Sequence, residues 1–308
     1  MKTKPELLVT AKDLEEMGRL LDAGADAFSI GHQRYGLRVA GDFELPQIEE
    51  AVKLAHQRQA KVYVSVNALF HNDVIKLLPD YLKQLEQIGV DAIVFGDPGV
   101  LMTVWEIDSK LRLHWNTETT STNYETVNYW AKKGASRAIV ARELSLDNVL
   151  KIKAKTNIEI QAQVHGMTCI FHSARRLVRN YMQHINEEGR TDLEAGLYLK
   201  ETKREESHHP IYEDMNGTHI MSSEDICMLE HLPAFIDGGI DSLKIEGLFK
   251  TTAYLEQVVR IYREAIDTYC ADPEKFQTKL NDWLHVIHSI QPAERRLGTG
   301  FYFKEQIY

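Results

Sequence analysis

Cysteine is scarce. Three residues in 308, Cys169, Cys227 and Cys270, are odd in number and widely spaced, so they do not read as a disulfide framework and reduced thiols are expected. Long apolar runs are missing too. No stretch reaches about 18 apolar residues, and the N-terminal MKTKPELLVTAKDLEE lacks the apolar region and small-residue cleavage site of a secretory signal. These absences argue against a membrane span and make the cytoplasm the expected location. Positive charge is in deficit: 36 Lys and Arg against 45 Asp and Glu give a formal net charge of -9. A surface of that average sign repels phosphate, so any nucleic-acid contact must come from a local basic patch or from a partner. Arg175, Arg176 and Arg179 are such a patch, or else a solvated helix face. Also absent are a GxGxxG after the first apolar run, a GxSxG and an HExxH, which removes the usual sequence signatures of dinucleotide binding, a serine nucleophile elbow and a zinc protease.

What is present is a recurring unit. LLDAGADAFSIG (20–31), LEQIGVDAIVFGD (85–97), WAKKGASRAIVARE (130–143) and FIDGGIDSLKIEG (235–247) each join an amphipathic helical segment to a glycine and then to an apolar run. That is a helix feeding a buried strand. Counting gives eight strands, near residues 6, 27, 62, 92, 112, 137, 159 and 242. The fold class expected is α/β, a TIM-like (β/α)8 barrel, with an open doubly wound sheet as the competitor. The barrel is expected over residues 1–270. A polar excursion at 182–220 interrupts it after strand seven, with a small hairpin as one form for it. Residues 271–308 are expected as a short tail docked on the barrel.

In a parallel barrel the C-terminal ends of the strands face the active-site mouth. Polar residues fall there repeatedly: Ser65 and Asn67, Asp97, Asn116 and Glu118, Arg142 and Glu143, His165, and Lys244 with Glu246. Strand alternation in DSLKIEG puts Lys244 and Glu246 on one side, opposite Leu243 and Ile245. Inside a barrel that side is the lumen, where the two serve as an anion clamp or as a buried structural ion pair. Cys169 is expected in a turn after His165, leading into an arginine-rich helix. HxxxCxxH offers ligand types for zinc or iron but no adjacent fourth ligand, and His208 and His209 lie in a segment of uncertain position. A metal ligand, a nucleophile and a packed thiol all remain open for Cys169.

The stretch VHGMTCIFHSARRLVRNY, with GADAFSIG, ARELSL, SSEDICMLEHLPAFIDGGIDSLKIEG and GTGFYF, resembles the U32 peptidase, or collagenase-like protease, family over essentially the whole chain. The resemblance implies a TIM-like barrel. It implies either peptide hydrolysis or an oxygen-independent hydroxylation, one form of which makes 5-hydroxyuridine at the tRNA wobble position using prephenate. Hydroxylating members hold an iron–sulfur cluster on four cysteines, the first matching Cys169 and a later one Cys227. Here the second is replaced by Arg176, and no cysteine lies between 177 and 226. Two thiolates are too few for such a cluster, so a complete one is not expected in this chain alone, with Cys169 and Cys227 as residual ligands at most. Leu248 stands where the family usually has arginine, and the C-terminal domain of longer members has no counterpart.

The expected reading is therefore a subunit of a prephenate-dependent tRNA hydroxylation system. A longer, cluster-bearing paralogue would be its partner, and tRNA would be reached through that partner. Its catalytic candidates are His165, Glu246, Lys244, Arg142, Glu143 and Cys169. Its substrate-binding candidates are Asn67, Asn116, Glu118, Arg175 and Arg176. A peptidase and a non-catalytic barrel that binds a small anion are the alternatives.

Overall fold

A computed structural model describes residues 3–116, 122–202 and 204–305. The chain runs β1 (Glu6–Thr10), α1 (Leu14–Ala23), β2 (Ala27–Ile30), α2 (Leu45–His56), β3 (Lys61–Val66), α3 (Asn72–Ile75), α4 (Leu78–Ile88), β4 (Ala92–Phe95), α5 (Pro98–Glu106), β5 (Leu113–Asn116), α6 (Tyr124–Lys132), β6 (Ala135–Ile139), α7 (Leu146–Ala154) and β7 (Glu159–Gly166). It continues through β8 (Cys169–Ser173), α8 (Leu177–His184), β9 (Tyr198–Glu201), β10 (Arg204–Asp214), β11 (Gly217–Met221), β12 (Asp225–Cys227), α9 (Leu232–Asp237), β13 (Ser242–Ile245), α10 (Thr252–Ala271), α11 (Pro273–Ile290) and β14 (Leu297–Gly298).

Strands β1 to β7 lie side by side in parallel, and β13 pairs in parallel with both β7 and β1. The sheet thus closes into the expected eight-stranded barrel. Local chemistry sets each unit. Asp13 caps α1 by accepting from the Glu16 backbone N–H, and Gly24 ends it at φ 103°, a left-handed conformation that glycine adopts without a Cβ clash. Losing such a cap costs about 1 kcal/mol. Along the strands, Leu7, Val9, Val62, Val64, Leu243 and Ile245 face outward into the main core beneath the helices. The alternate residues fill the lumen in layers. At the bottom Arg137 pairs with Glu6 at 2.6 Å and Glu159 at 2.7 Å. An apolar middle follows, of Leu8, Ala27, Tyr63, Ala92 and Val94. The top is polar.

Two departures from the sequence reading matter. The excursion begins earlier than residue 182: β8, β11, β10 and β9 form a four-stranded antiparallel sheet spanning Cys169 to Met221, with α8 inserted in it. Cys169 therefore sits on an edge strand, not in a turn leading into a helix, because its pairing partner is the distant Met221. The segment after residue 271 is mostly α11, an 18-residue helix packed on α10. After it, β14 pairs with β12, and the Tyr302 hydroxyl donates to the Gln163 carbonyl at 2.6 Å.

Candidate active site

The polar top of the lumen opens into a cavity of about 550 Å3 under the small sheet, lined among others by Arg38, Asn67, Asn116, Arg142, Glu143 and Cys169. Smaller spaces of about 60 and 50 Å3 continue it into the barrel past Arg38, Gln161, Lys244 and Glu246. Asn67 directly follows β3 and accepts from the Leu37 backbone N–H at 2.9 Å, which fixes the loop that carries Arg38. Arg38 itself is held at φ 52°, a sparsely populated conformation for a non-glycine residue that costs of order 1–3 kcal/mol. Burial, with the neighbouring Arg142 adding to it, pulls the Arg38 pKa below the ordinary guanidinium value. Arg142 donates to the Cys169 carbonyl, tying the loop after β6 to the small sheet.

Lys244 and Glu246 meet at 2.9 Å inside the lumen. Glu246 also accepts from the Thr10 hydroxyl at 3.1 Å and the Leu248 backbone N–H at 3.2 Å. Burial alone would raise its pKa, but Lys244 and these donors outweigh burial and lower it. Gly166, at φ 93°, allows the end of β7 to pass against Glu246, since a Cβ there would lie 2.2 Å from the Glu246 carbonyl oxygen.

His165 is a correction. It does not face the mouth but is fully buried on the outside of the barrel, 2.7 Å from the Tyr254 hydroxyl, with the Tyr262 hydroxyl at 3.4 Å. The cause is a register shift: two steps of β7, from Gln163 to His165, match one step of β13, from Lys244 to Ile245. Such a bulge re-aims the side chains beyond it, so His165 pairs with outward-facing Ile245. Burial lowers its pKa to about 3. Arg175 and Arg176 are also displaced: both are exposed in the turn before α8 and contribute nothing to the cavity lining. Glu118 lies outside the described residues.

The thiols are separated by environment. Cys169 lines the cavity, whereas Cys227 packs behind β7 with the Tyr262 hydroxyl 3.9 Å from its sulfur, and burial raises its pKa. His209 bonds the Met221 carbonyl and His172 the Asn216 carbonyl. Among the described residues no group of three or more His, Cys, Asp or Glu is placed to hold a metal ion. The donor set does not fit a four-thiolate cluster.

Sequence reasoning missed Arg38, which lines all three spaces. Arg38 lies in a long loop with no periodic signal. The small sheet above the cavity was missed because β8 and β11 pair across more than forty positions of sequence.

The model of peptidase family U32 matches residues 12–307. The chain belongs to this family. Among its relatives, tRNA hydroxylation protein P2 of Bacillus subtilis is 49% identical over 99% of both chains. The tRNA hydroxylation protein P1 of the same organism is 35% identical over 99% of this chain and 74% of its own. The tRNA hydroxylation protein P of Escherichia coli is 30% identical over 97% and 74%. Among solved structures, a U32 peptidase superposes at a TM-score of 0.51 with 16% identity, covering 80% of this chain and 93% of that one. A dihydrodipicolinate synthase of Bacillus anthracis superposes at 0.52 with 12% identity, covering 95% and 85%. At such identities these two speak for the barrel fold alone.

Proposed function

We propose that this chain is a subunit of a tRNA hydroxylation system acting at C5 of the wobble uridine, with a longer, cluster-bearing U32 paralogue as partner and prephenate as co-substrate. The observation that carries this reading is the 49% identity to tRNA hydroxylation protein P2 along the full length of both chains. The longer P1 of the same organism, also similar to this chain, supports the pairing of a short with a long member. The cavity supports the co-substrate: Arg38 and Arg142 present two guanidinium groups to one space, and guanidinium forks suit carboxylates. Lys244 and Glu246 orient what enters the lumen, and Asn67 and Asn116 supply neutral hydrogen-bonding groups at its edge. The net charge of -9 supports a tRNA contact made through the partner.

The test is nucleoside mass spectrometry of tRNA from a strain lacking the gene. Wobble hydroxyuridine falls, wild-type protein restores it, and an Arg142→Ala variant does not. An unchanged hydroxyuridine level in the deletion strain, together with no co-purification of a longer paralogue, overturns the reading. Peptide hydrolysis is the second reading. One observation favours it, a cavity-lining thiol beside a histidine; gelatin cleavage by the purified chain that Cys169→Ala abolishes would put it first.

A further inference from the structure

The lumen below the cavity holds a buried polar side chain to which no role has yet been given. Gln161 on β7 is 2% exposed. It aligns with Ser242 of β13 on one side and Ile139 of β6 on the other. Two residues further along β7, Gln163 aligns with Lys244 and donates its amide N–H to the Met167 carbonyl at 2.8 Å. The Gln161 amide has no such outlet. Its Oε1 is buried with no hydrogen-bond partner among the described residues. A buried acceptor left unpaired is costly, and folded proteins almost always give one a partner.

That side chain is not sealed off from the cavity. Gln161 lines both of its small extensions, about 60 and 50 Å3, and each exceeds the roughly 10–15 Å3 that a single water needs. Lys244 lines both as well. Its ammonium carries three N–H donors, and Glu246 is its one polar partner among the described residues. Ser29 and Ser65 add hydroxyls to the larger extension. The smaller one also touches Arg38 and Arg142, so a carboxylate on the arginines and a second polar group beside Gln161 fit within one small molecule. Donors and acceptors say what that second group is. Lys244 only donates, while the Gln161 amide offers an oxygen and a nitrogen that a turn about its last bond exchanges. A carboxylate or ketone oxygen accepts from Lys244 but leaves the Gln161 oxygen unmet. A hydroxyl accepts from the one and donates to the other.

We propose that Gln161 is a specificity-determining residue that, together with Lys244, holds a hydroxyl of the small carboxylate bound by Arg38 and Arg142, so that the site selects hydroxylated acids over their deoxy counterparts. The inference rests on the co-substrate reading, in which the two arginines take the carboxylate, and it deepens that reading by naming a second group the ligand must carry. The hydroxyl oxygen accepts from Lys244 Nζ, and its proton goes into a hydrogen bond to Oε1 of the turned Gln161 amide. Glu246 keeps the Lys244 ammonium charged and in place. A site built round a hydroxyl rejects the analogue that lacks it, because its own buried polar groups are then left unpaired. A trapped water is the competing partner for Gln161, and it gives no preference between the two kinds of acid.

The experiment is calorimetry on the purified full-length chain with 4-hydroxyphenylpyruvate and, separately, phenylpyruvate, two acids that differ by one hydroxyl. The wild-type chain is expected to bind the hydroxylated acid at least tenfold more tightly, the scale of one hydrogen bond in a buried site. Gln161→Met, close to glutamine in volume but without an amide, is expected to bring the ratio of the two affinities below about threefold. Should that variant lose its native circular dichroism, Gln161→Leu carries the test with the same expectation. The proposal is overturned if the wild-type chain binds the two acids within about threefold of each other, if it binds neither, or if a folded Gln161 variant keeps the wild-type ratio. None of these results touches the tRNA reading, which the hydroxyuridine level of the deletion strain decides by itself.

Discussion

At the scale of single residues, His165 shows how one side chain changes meaning with its direction. Alternation from Gln161 and Gln163 predicts a lumen residue, and only the bulge against β13 turns it outward; an irregularity of one residue leaves no trace in composition or spacing. Its burial has a measurable consequence. The folded pKa of about 3 lies below the ordinary 6.5, so between these values the unfolded chain binds a proton that the folded chain refuses, and stability falls as pH falls. The expected loss is roughly 2 kcal/mol between pH 7 and 5. Urea titrations at the two pH values check this: His165→Gln flattens the slope, and an unchanged slope in that variant contradicts the assignment. Lys244 and Glu246, by contrast, were readable, because regular alternation holds along the whole of β13 and both face the lumen as the sequence implies. Arg38 was not readable, since loop geometry alone delivers it. Removing it is expected to weaken binding of prephenate to the purified chain at least tenfold by calorimetry, the scale of one lost charge-assisted contact.

Among elements, the eight barrel strands were legible because parallel strands are covered on the outside by helices and packed on the inside, leaving short apolar runs that end at turn residues. The small sheet was not, because its ladders join β8 to β11 across the intervening α8 and β9–β10 hairpin, a pairing that no local periodicity announces. The C-terminal elements were legible only as an aromatic-rich segment. What fixes them is Asp225 on β12, fully buried and paired with Lys250 and with Arg295 at 2.7 Å, while Gln291 donates to it at 2.7 Å. Burial opposes its ionisation, but the two cations hold its pKa down to about 2. Removing one member of a buried pair strands the other charge, at a cost of about 3–5 kcal/mol. Asp225→Ala is therefore expected to lower the urea midpoint strongly and to open the segment after residue 291 to limited proteolysis. Arg190→Ala, which breaks exposed pairs to Asp192 and Glu194, is expected to leave the midpoint where it was.

For the whole molecule, charge and shape divide the labour. The cavity concentrates arginine in an otherwise acidic protein, so a small anion is drawn to one place while the average surface repels nucleic acid. Filter binding of tRNA to the chain alone is expected to be weak at physiological salt, and to tighten by tenfold or more when the longer paralogue is added. Tight, salt-sensitive binding by the isolated chain would contradict that division.

The seam of the barrel has a further consequence. Ser242 and Glu6 meet across 236 positions of sequence, so β1 has no neighbour on one side until β13 has been synthesised. During translation the nascent chain thus carries an open strand edge for most of its length. Ring closure therefore waits for a non-local pairing of the kind that forms slowly, and until then the open edge is a site for self-association.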